Sequence, residues 1–205
     1  MIKIHMGCGG QLWGVIPGID GPQVDNTGAA GWINVDADFD PELLTRPHAD
    51  EMVHGYPRAL KADFRHLPMF PDNFADYITS HHSLEHVRID EALPTLKEWH
   101  RVLKPGGICS VSVPDLLWVA ERLVETGGDL MWSEMGQSTG DWEGGYTKLV
   151  NCVFGDQSND GYQLHRTGFT AKYLTHLFEQ AGFQSINTGQ QADMGMRSLL
   201  CEGHK

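Results

Sequence analysis

The chain has 205 residues against roughly 150 for a typical domain, enough for one domain with an elaborated loop region and too few for a large appended module. Its formal net charge of −12, with no basic run, argues against bulk binding of nucleic acid or of an anionic membrane surface. Four dispersed cysteines, Cys8, Cys109, Cys152 and Cys201, form no CxxC pair, which argues against a zinc knuckle or a disulfide framework and fits reduced thiols. No apolar stretch of signal-peptide length opens the chain, and no window approaches ~18 apolar residues, so a soluble cytoplasmic protein is expected.

Residues 2–6 read as a first strand that breaks at Gly7-Cys8-Gly9-Gly10, where glycine tolerates a tight turn. Residues 11–31 are rich in Gly, Pro, Asp and Asn, with breakers at Pro17-Gly18 and Asp20-Gly21-Pro22, and are expected to form a long loop. Two strands with acidic ends follow, at 32–36 and more weakly at 59–63. Residues 74–80 are a β-rich run that stops at a histidine cluster. Apolar spacing through Leu93, Leu96, Trp99 and Leu103 then predicts a helix over 89–103, ending at Lys104-Pro105-Gly106-Gly107.

Residues 108–113 read as a buried strand closed by Pro114-Asp115, with a helix over 116–125 behind it. Residues 126–168 are the least regular part, with aromatics among glycines and polar residues, a composition that suits a binding lid and equally a packed surface loop. Thr170 caps a helix that runs to Gln180 and ends at Gly182, and strands close the chain at 183–189 and 196–202. No internal repeat is visible. Strands alternating with helices, tipped by glycine or acid, predict a single α/β domain over 1–205, built on a doubly wound sheet with its ligand over the C-terminal strand tips.

The glycine turn after the first strand would let a ligand approach the backbone, and Asp36 at the tip of the second would accept both hydrogen bonds of a ribose diol. A dinucleotide is disfavoured. The third glycine of GxGxxG is replaced by Trp13, and a loop stands where a helix N-terminus would face the pyrophosphate. A nucleoside without a phosphate fits better.

Six segments occur in order: Met6-Gly7-Cys8-Gly9-Gly10, Gly31-Trp32-Ile33-Asn34-Val35-Asp36, Ala62-Asp63-Phe64-Arg65-His66-Leu67-Pro68, Asp72-Asn73-Phe74-Ala75-Asp76-Tyr77-Ile78, Ser83-Leu84-Glu85-His86-Val87, and Glu98-Trp99-His100-Arg101-Val102-Leu103-Lys104-Pro105-Gly106-Gly107. Together they resemble the consecutive motifs of class I S-adenosylmethionine-dependent methyltransferases. The tail His165-Arg166-Thr167-Gly168-Phe169 narrows the resemblance to small bacterial "type 11"-like members, several of them associated with surface polysaccharides. The resemblance implies a Rossmann-like seven-stranded sheet in the order 3-2-1-4-5-7-6, with 126–168 as a lid-like insertion after strand five.

It further implies S-adenosylmethionine as cofactor. Gly7, Cys8, Gly9 and Gly10 would face its methionine and ribose, Asp36 its ribose hydroxyls, and Asp63 with Phe64 its adenine, while Ser80, His81 and His82 would pass near the sulfonium. Two positions depart from the family pattern: His5 stands where an acid is usual, and the Gly/Pro-rich segment 11–30 replaces a helix.

Methyl transfer from a sulfonium is an in-line displacement that needs alignment and, for a protonated acceptor, a base. His82 and His165 are the candidate bases, with His81, His86 and Asp115 behind them. The expected acceptor is a small molecule or a glycan intermediate, and no metal is assigned. Two other readings compete. One is a non-catalytic methyltransferase-like binding protein. The other is a zinc hydrolase, because His82-x-x-Glu85-His86 also matches an HxxEH pattern that needs both histidines on one helix face.

Overall fold

A computed structural model of the chain describes residues 1–7, 32–37, 52–128, 149–155, 163–193 and 196–205. Alternating apolar residues in the opening segments produce β1 (Lys3–Met6) and β2 (Trp32–Asp36), whose Ile4, Met6, Ile33 and Val35 are fully buried. A two-stranded ribbon, β3 (Met52–Val53) and β4 (Tyr56–Pro57), precedes β5 (Ala59–Lys61). It was not expected from the sequence, because two-residue strands have no periodicity to detect. β5 ends two residues early. Its main-chain ladder closes where the Ala62 N–H donates to the Asp36 carbonyl at 2.9 Å, and the chain then turns at Asp63.

β6 (Ala75–His81) leads through a single 3-10 turn, Leu84–His86, into α1 (Ile89–Val102). Helix α1 places Ala92, Leu96, Trp99 and Val102 on one buried face. β7 (Leu103–Pro114) starts directly at the helix end and is longer than predicted. The Lys104–Gly107 stretch, read as a helix stop, stays extended because the Gly106 N–H donates to the Lys205 carbonyl and the Lys205 N–H to that of Gly107. α2 (Leu116–Glu125) follows, and then α3 (Leu149–Phe154), a short helix inside the stretch expected to be irregular. The two pack through Trp118, Val119, Leu149 and Cys152, a contact between distant segments that local composition hides. α4 (Ala171–Ala181), β8 (Gln184–Asp193) and β9 (Met196–His204) close the chain.

The seven strands of the main sheet lie in the order β5-β2-β1-β6-β7-β9-β8. Counted along the main sheet alone, this is 3-2-1-4-5-7-6, the order the sequence resemblance implied. β5, β2, β1, β6 and β7 pair in parallel, and β9 pairs antiparallel to both neighbours. The C-terminal ends of β1, β2 and β6 therefore point the same way, the condition for a ligand crevice at the centre of an open α/β sheet. α1 and α4 lie side by side on the core, where Leu96, Trp99, Leu174 and Phe178 are buried, each such side chain contributing about 1.5–3 kcal/mol relative to exposure. Among the described residues, no helix is long and apolar enough to cross a membrane.

Candidate functional site

The parallel register sets Met6 opposite Val35 on one side and Ser80 on the other, so three strand tips meet around Gly7. Gly7 has φ +65°, and its N–H donates to the Val35 carbonyl at 2.8 Å. The Ser83 hydroxyl lies 2.7 Å from the Gly7 carbonyl. A Cβ at Gly7 would collide with the Ser83 side chain, so both conformation and space require glycine here. Cys8, Gly9 and Gly10, the remainder of the predicted turn, lie outside the described residues, as does most of the expected lid.

Asp36 sits partly exposed at the tip of β2, as the sequence reading required. Asp63 is engaged: Arg65 Nη2 lies 2.7 Å and Nε 2.9 Å from its carboxylate oxygens, and Arg65 also reaches Glu91 at 3.0 Å. That guanidinium holds the Asp63 carboxyl below the usual carboxylate range. Phe64 packs at the core margin with its ring centroid 6.0 Å from that of Trp99, whose Nε1–H donates to the Phe64 carbonyl at 2.8 Å. The Phe64 ring edge also comes up beside Gly7. Ser80 is fully buried in the sheet, and its hydroxyl has no hydrogen-bond partner. His81 is partly exposed, its ring 4.9 Å from that of His82.

His82 has φ +49° at the strand tip, and only Leu84–His86 form the following turn. The helix face that the HxxEH reading needs is therefore not formed: a residue in the left-handed region cannot continue a right-handed helix. The histidines instead gather around Glu85, which is 1% exposed. His82 Nδ1 lies 3.3 Å and His165 Nε2 3.9 Å from Glu85 Oε1, and neither carboxylate oxygen makes a hydrogen bond. The other His82 nitrogen, Nε2, is 3.0 Å from the Ser198 hydroxyl. The His86 and His165 ring centroids are 5.0 Å apart.

Burial by itself raises the Glu85 carboxyl, but the His82 contact and the charges of His82, His86 and His165 bring it below its ordinary value. Burial lowers the His165 imidazole, with Glu85 opposing.

The main chain holds this cluster together. The Glu85 carbonyl accepts from the Arg166 and Thr167 N–H groups at 2.7 and 3.1 Å, and the Thr167 hydroxyl donates to the Val87 carbonyl at 2.7 Å. The tail pattern His165-Arg166-Thr167 is thereby a strap across the 84–87 turn. Sequence reasoning placed Glu85 and His86 mainly in the turn and missed that they meet His165, a contact about 80 residues apart along the chain. Asp115 is not an acceptor-side group: its Oδ1 caps α2 through the Leu117 N–H at 3.0 Å, and its Oδ2 accepts from Gln190 at 2.9 Å.

Comparison with known proteins fits this geometry. A family model for a methyltransferase domain matches residues 20–111. Demethylmenaquinone methyltransferase of Staphylococcus saprophyticus is 31% identical over 148 residues, which cover 68% of this chain and 51% of the relative. The S-adenosylmethionine-dependent methyltransferase of Mesorhizobium loti superposes with a TM-score of 0.59 at 16% identity, covering 100% of this chain and 90% of that one. The chain carries a match to a methyltransferase domain and has the fold of S-adenosylmethionine-dependent methyltransferases. A third neighbour is the Burkholderia thailandensis 1,6-didemethyltoxoflavin-N1-methyltransferase, solved with 1,6-didemethyltoxoflavin and S-adenosylhomocysteine; it superposes with a TM-score of 0.54 at 16% identity, over 99% of this chain and 70% of that one. The chain spans about half the length of the curated relatives it matches.

Proposed function

We propose that this protein transfers a methyl group from S-adenosylmethionine to a small-molecule or glycan-intermediate acceptor. The observation that carries the reading is the meeting of Gly7, Asp36 and the His81-His82 pair at the tips of adjacent parallel strands. Asp36 would hold the ribose hydroxyls, and the bare Gly7 backbone would let the methionine end pass. Phe64 beside Gly7 would border the adenine. Because Arg65 already occupies the Asp63 carboxylate, Asp63 would act by shaping that edge rather than by binding adenine directly.

On the acceptor side, His82 is the proposed base. Its Nδ1 lies 3.3 Å from Glu85 Oε1, and with the proton on Nδ1 the lone pair falls on Nε2, now met by the Ser198 hydroxyl 3.0 Å away. An acceptor O–H or N–H that displaces Ser198 gives its proton to Nε2. Its heavy atom then bonds the methyl carbon as the C–S bond breaks and S-adenosylhomocysteine leaves. His165 would act through Glu85 without touching the acceptor. The substrates named for one relative and one structural neighbour, demethylmenaquinone and 1,6-didemethyltoxoflavin, support a small-molecule class.

The test is calorimetric titration with S-adenosylmethionine and S-adenosylhomocysteine. Wild type should bind both. Asp36→Ala should bind on the order of 10–100-fold more weakly, the loss expected for hydrogen bonds to a charged group. No binding by wild type at millimolar ligand would sink the reading.

A further inference from the structure

Glu85, His86 and His165 bring one donor atom each to within 4.8 Å of one another. The hydrogen bonds of the two histidines fix which atom that is. His86 Nδ1 lies 3.1 Å from the Leu164 carbonyl, and His165 Nδ1 3.0 Å from that of Cys152. A carbonyl only accepts, so each Nδ1 carries the proton, and in a neutral ring the lone pair is then on Nε2. Second-shell carbonyls do the same for metal-bound histidines, fixing the tautomer and the ring orientation.

Two imidazole lone pairs and a carboxylate therefore face one another with no proton between them. Glu85 is 1% exposed and neither of its carboxylate oxygens has a hydrogen-bond partner. A buried carboxylate without partners is costly unless a cation or donor completes it. We propose that Glu85, His86 and His165 form a binding site for a divalent transition-metal ion, with an open position that takes an oxygen of the methyl acceptor.

The donor set of two imidazoles and one carboxylate suits zinc, iron or cobalt rather than calcium or magnesium, which prefer all-oxygen shells. It differs from the HxxEH set, because His165 replaces His82 as the third ligand and His82 remains on Glu85 Oε1 from the other side. The scaffold is prepared: the 163–167 strap that delivers His165 is bonded to the turn that delivers the other two. Gly155 closes the far end through its bridge to Leu164, with φ +72° and no room for a Cβ against Gln163 and His165.

The role toward the acceptor rests on the methyl-transfer reading; the metal site does not. A metal-held hydroxyl would lose its proton to solvent more readily, and its oxygen would then attack the methyl carbon as the C–S bond breaks and S-adenosylhomocysteine departs.

The experiment treats the full chain with chelator, dialyses it, and titrates Zn²⁺ and Co²⁺. Bound metal is measured by mass spectrometry and Co²⁺ ligand-field absorption by visible spectroscopy. Wild type should hold one equivalent with an intense low-coordination Co²⁺ band, and Glu85→Gln and His165→Ala should each bind at least tenfold more weakly. Both variants are first checked for wild-type circular dichroism, and His176→Ala, outside the cluster, should behave as wild type. Substoichiometric metal in wild type, or wild-type affinity in both variants, overturns the proposal. S-adenosylhomocysteine titrated in parallel separates the readings: binding without metal uptake sinks the metal site and keeps the cofactor site, and metal uptake without that binding does the reverse.

Discussion

The two sides of the crevice are built differently. The proposed cofactor side consists of strand ends: a glycine backbone at Gly7, a partly exposed carboxylate at Asp36 and an aromatic edge at Phe64. The proposed acceptor side is a buried carboxylate ringed by three histidines, assembled from a turn after β6 and a strap about 80 residues further on. A strand end can hold a nucleoside with few side chains, because the sheet already fixes where the backbone is. A proton-transfer or metal site needs several side chains in fixed orientation, which takes long-range packing and second-shell hydrogen bonds.

Paired glycine substitutions give the sharpest break between the sides. Gly7→Ala should cost more than about 100-fold in S-adenosylhomocysteine affinity, because the new methyl meets Ser83 in a left-handed backbone. Gly155→Ala should leave that affinity within about threefold while weakening Zn²⁺ binding at least about tenfold, because it shifts the strap carrying His165. Calorimetry with each ligand reads both. If the two variants lose the same ligand, the division into two sides is wrong.

A third substitution tests the scaffold beneath both. Arg101 bonds Glu98 at 2.8 Å, Asp72 at 2.7 Å and the Leu67 and Phe70 carbonyls at 3.0 Å, and Glu98 accepts from the Leu67 N–H at 2.8 Å. Arg101→Met should lower stability by about 1–3 kcal/mol in urea denaturation, with ligand affinities unchanged in the folded protein. The Glu98 carboxyl is held below its ordinary value by Arg101, so this contribution is present above pH ~4.5 and fades as pH falls below it.

A pH-dependent effect concerns His5, whose imidazole burial pushes down to about 3, with Asn34 Oδ1 3.4 Å from Nδ1. The unfolded chain takes up this proton near pH 6.5 and the folded chain only near 3, so the term lowers stability as pH falls through that window. Its slope is at most ~1.4 kcal/mol per pH unit. His5→Gln should flatten the profile between pH 6 and 4 relative to wild type, measured by urea midpoints; parallel profiles would contradict it.

Legibility from sequence follows the same division. The glycine turn at Gly7 and the acid at Asp36 end strands that apolar patterning predicts, so their place at strand tips could be read locally, while the sheet order came with the family resemblance. Other motif residues also carry scaffold contacts. Arg65 occupies Asp63, Arg101 ties the 67–72 loop to α1, and Asp115 caps α2. A one-dimensional pattern does not distinguish a carboxylate that binds ligand from one that binds arginine. The His165 strap and the Glu85 turn were each visible as a motif, but their meeting was not, because α1, β7, α2 and α3 lie between them along the chain. The ribbon at 52–57 and helix α3 were missed because they are stabilised by packing and too short to show periodicity.

The most direct measurement is a crystal structure of the protein with S-adenosylhomocysteine. The account predicts ribose hydroxyls hydrogen-bonded to the Asp36 carboxylate and the sulfur turned toward the His82–Glu85 side. A ligand whose ribose does not contact Asp36, or whose sulfur faces away from that cluster, would contradict the assignment of both sides.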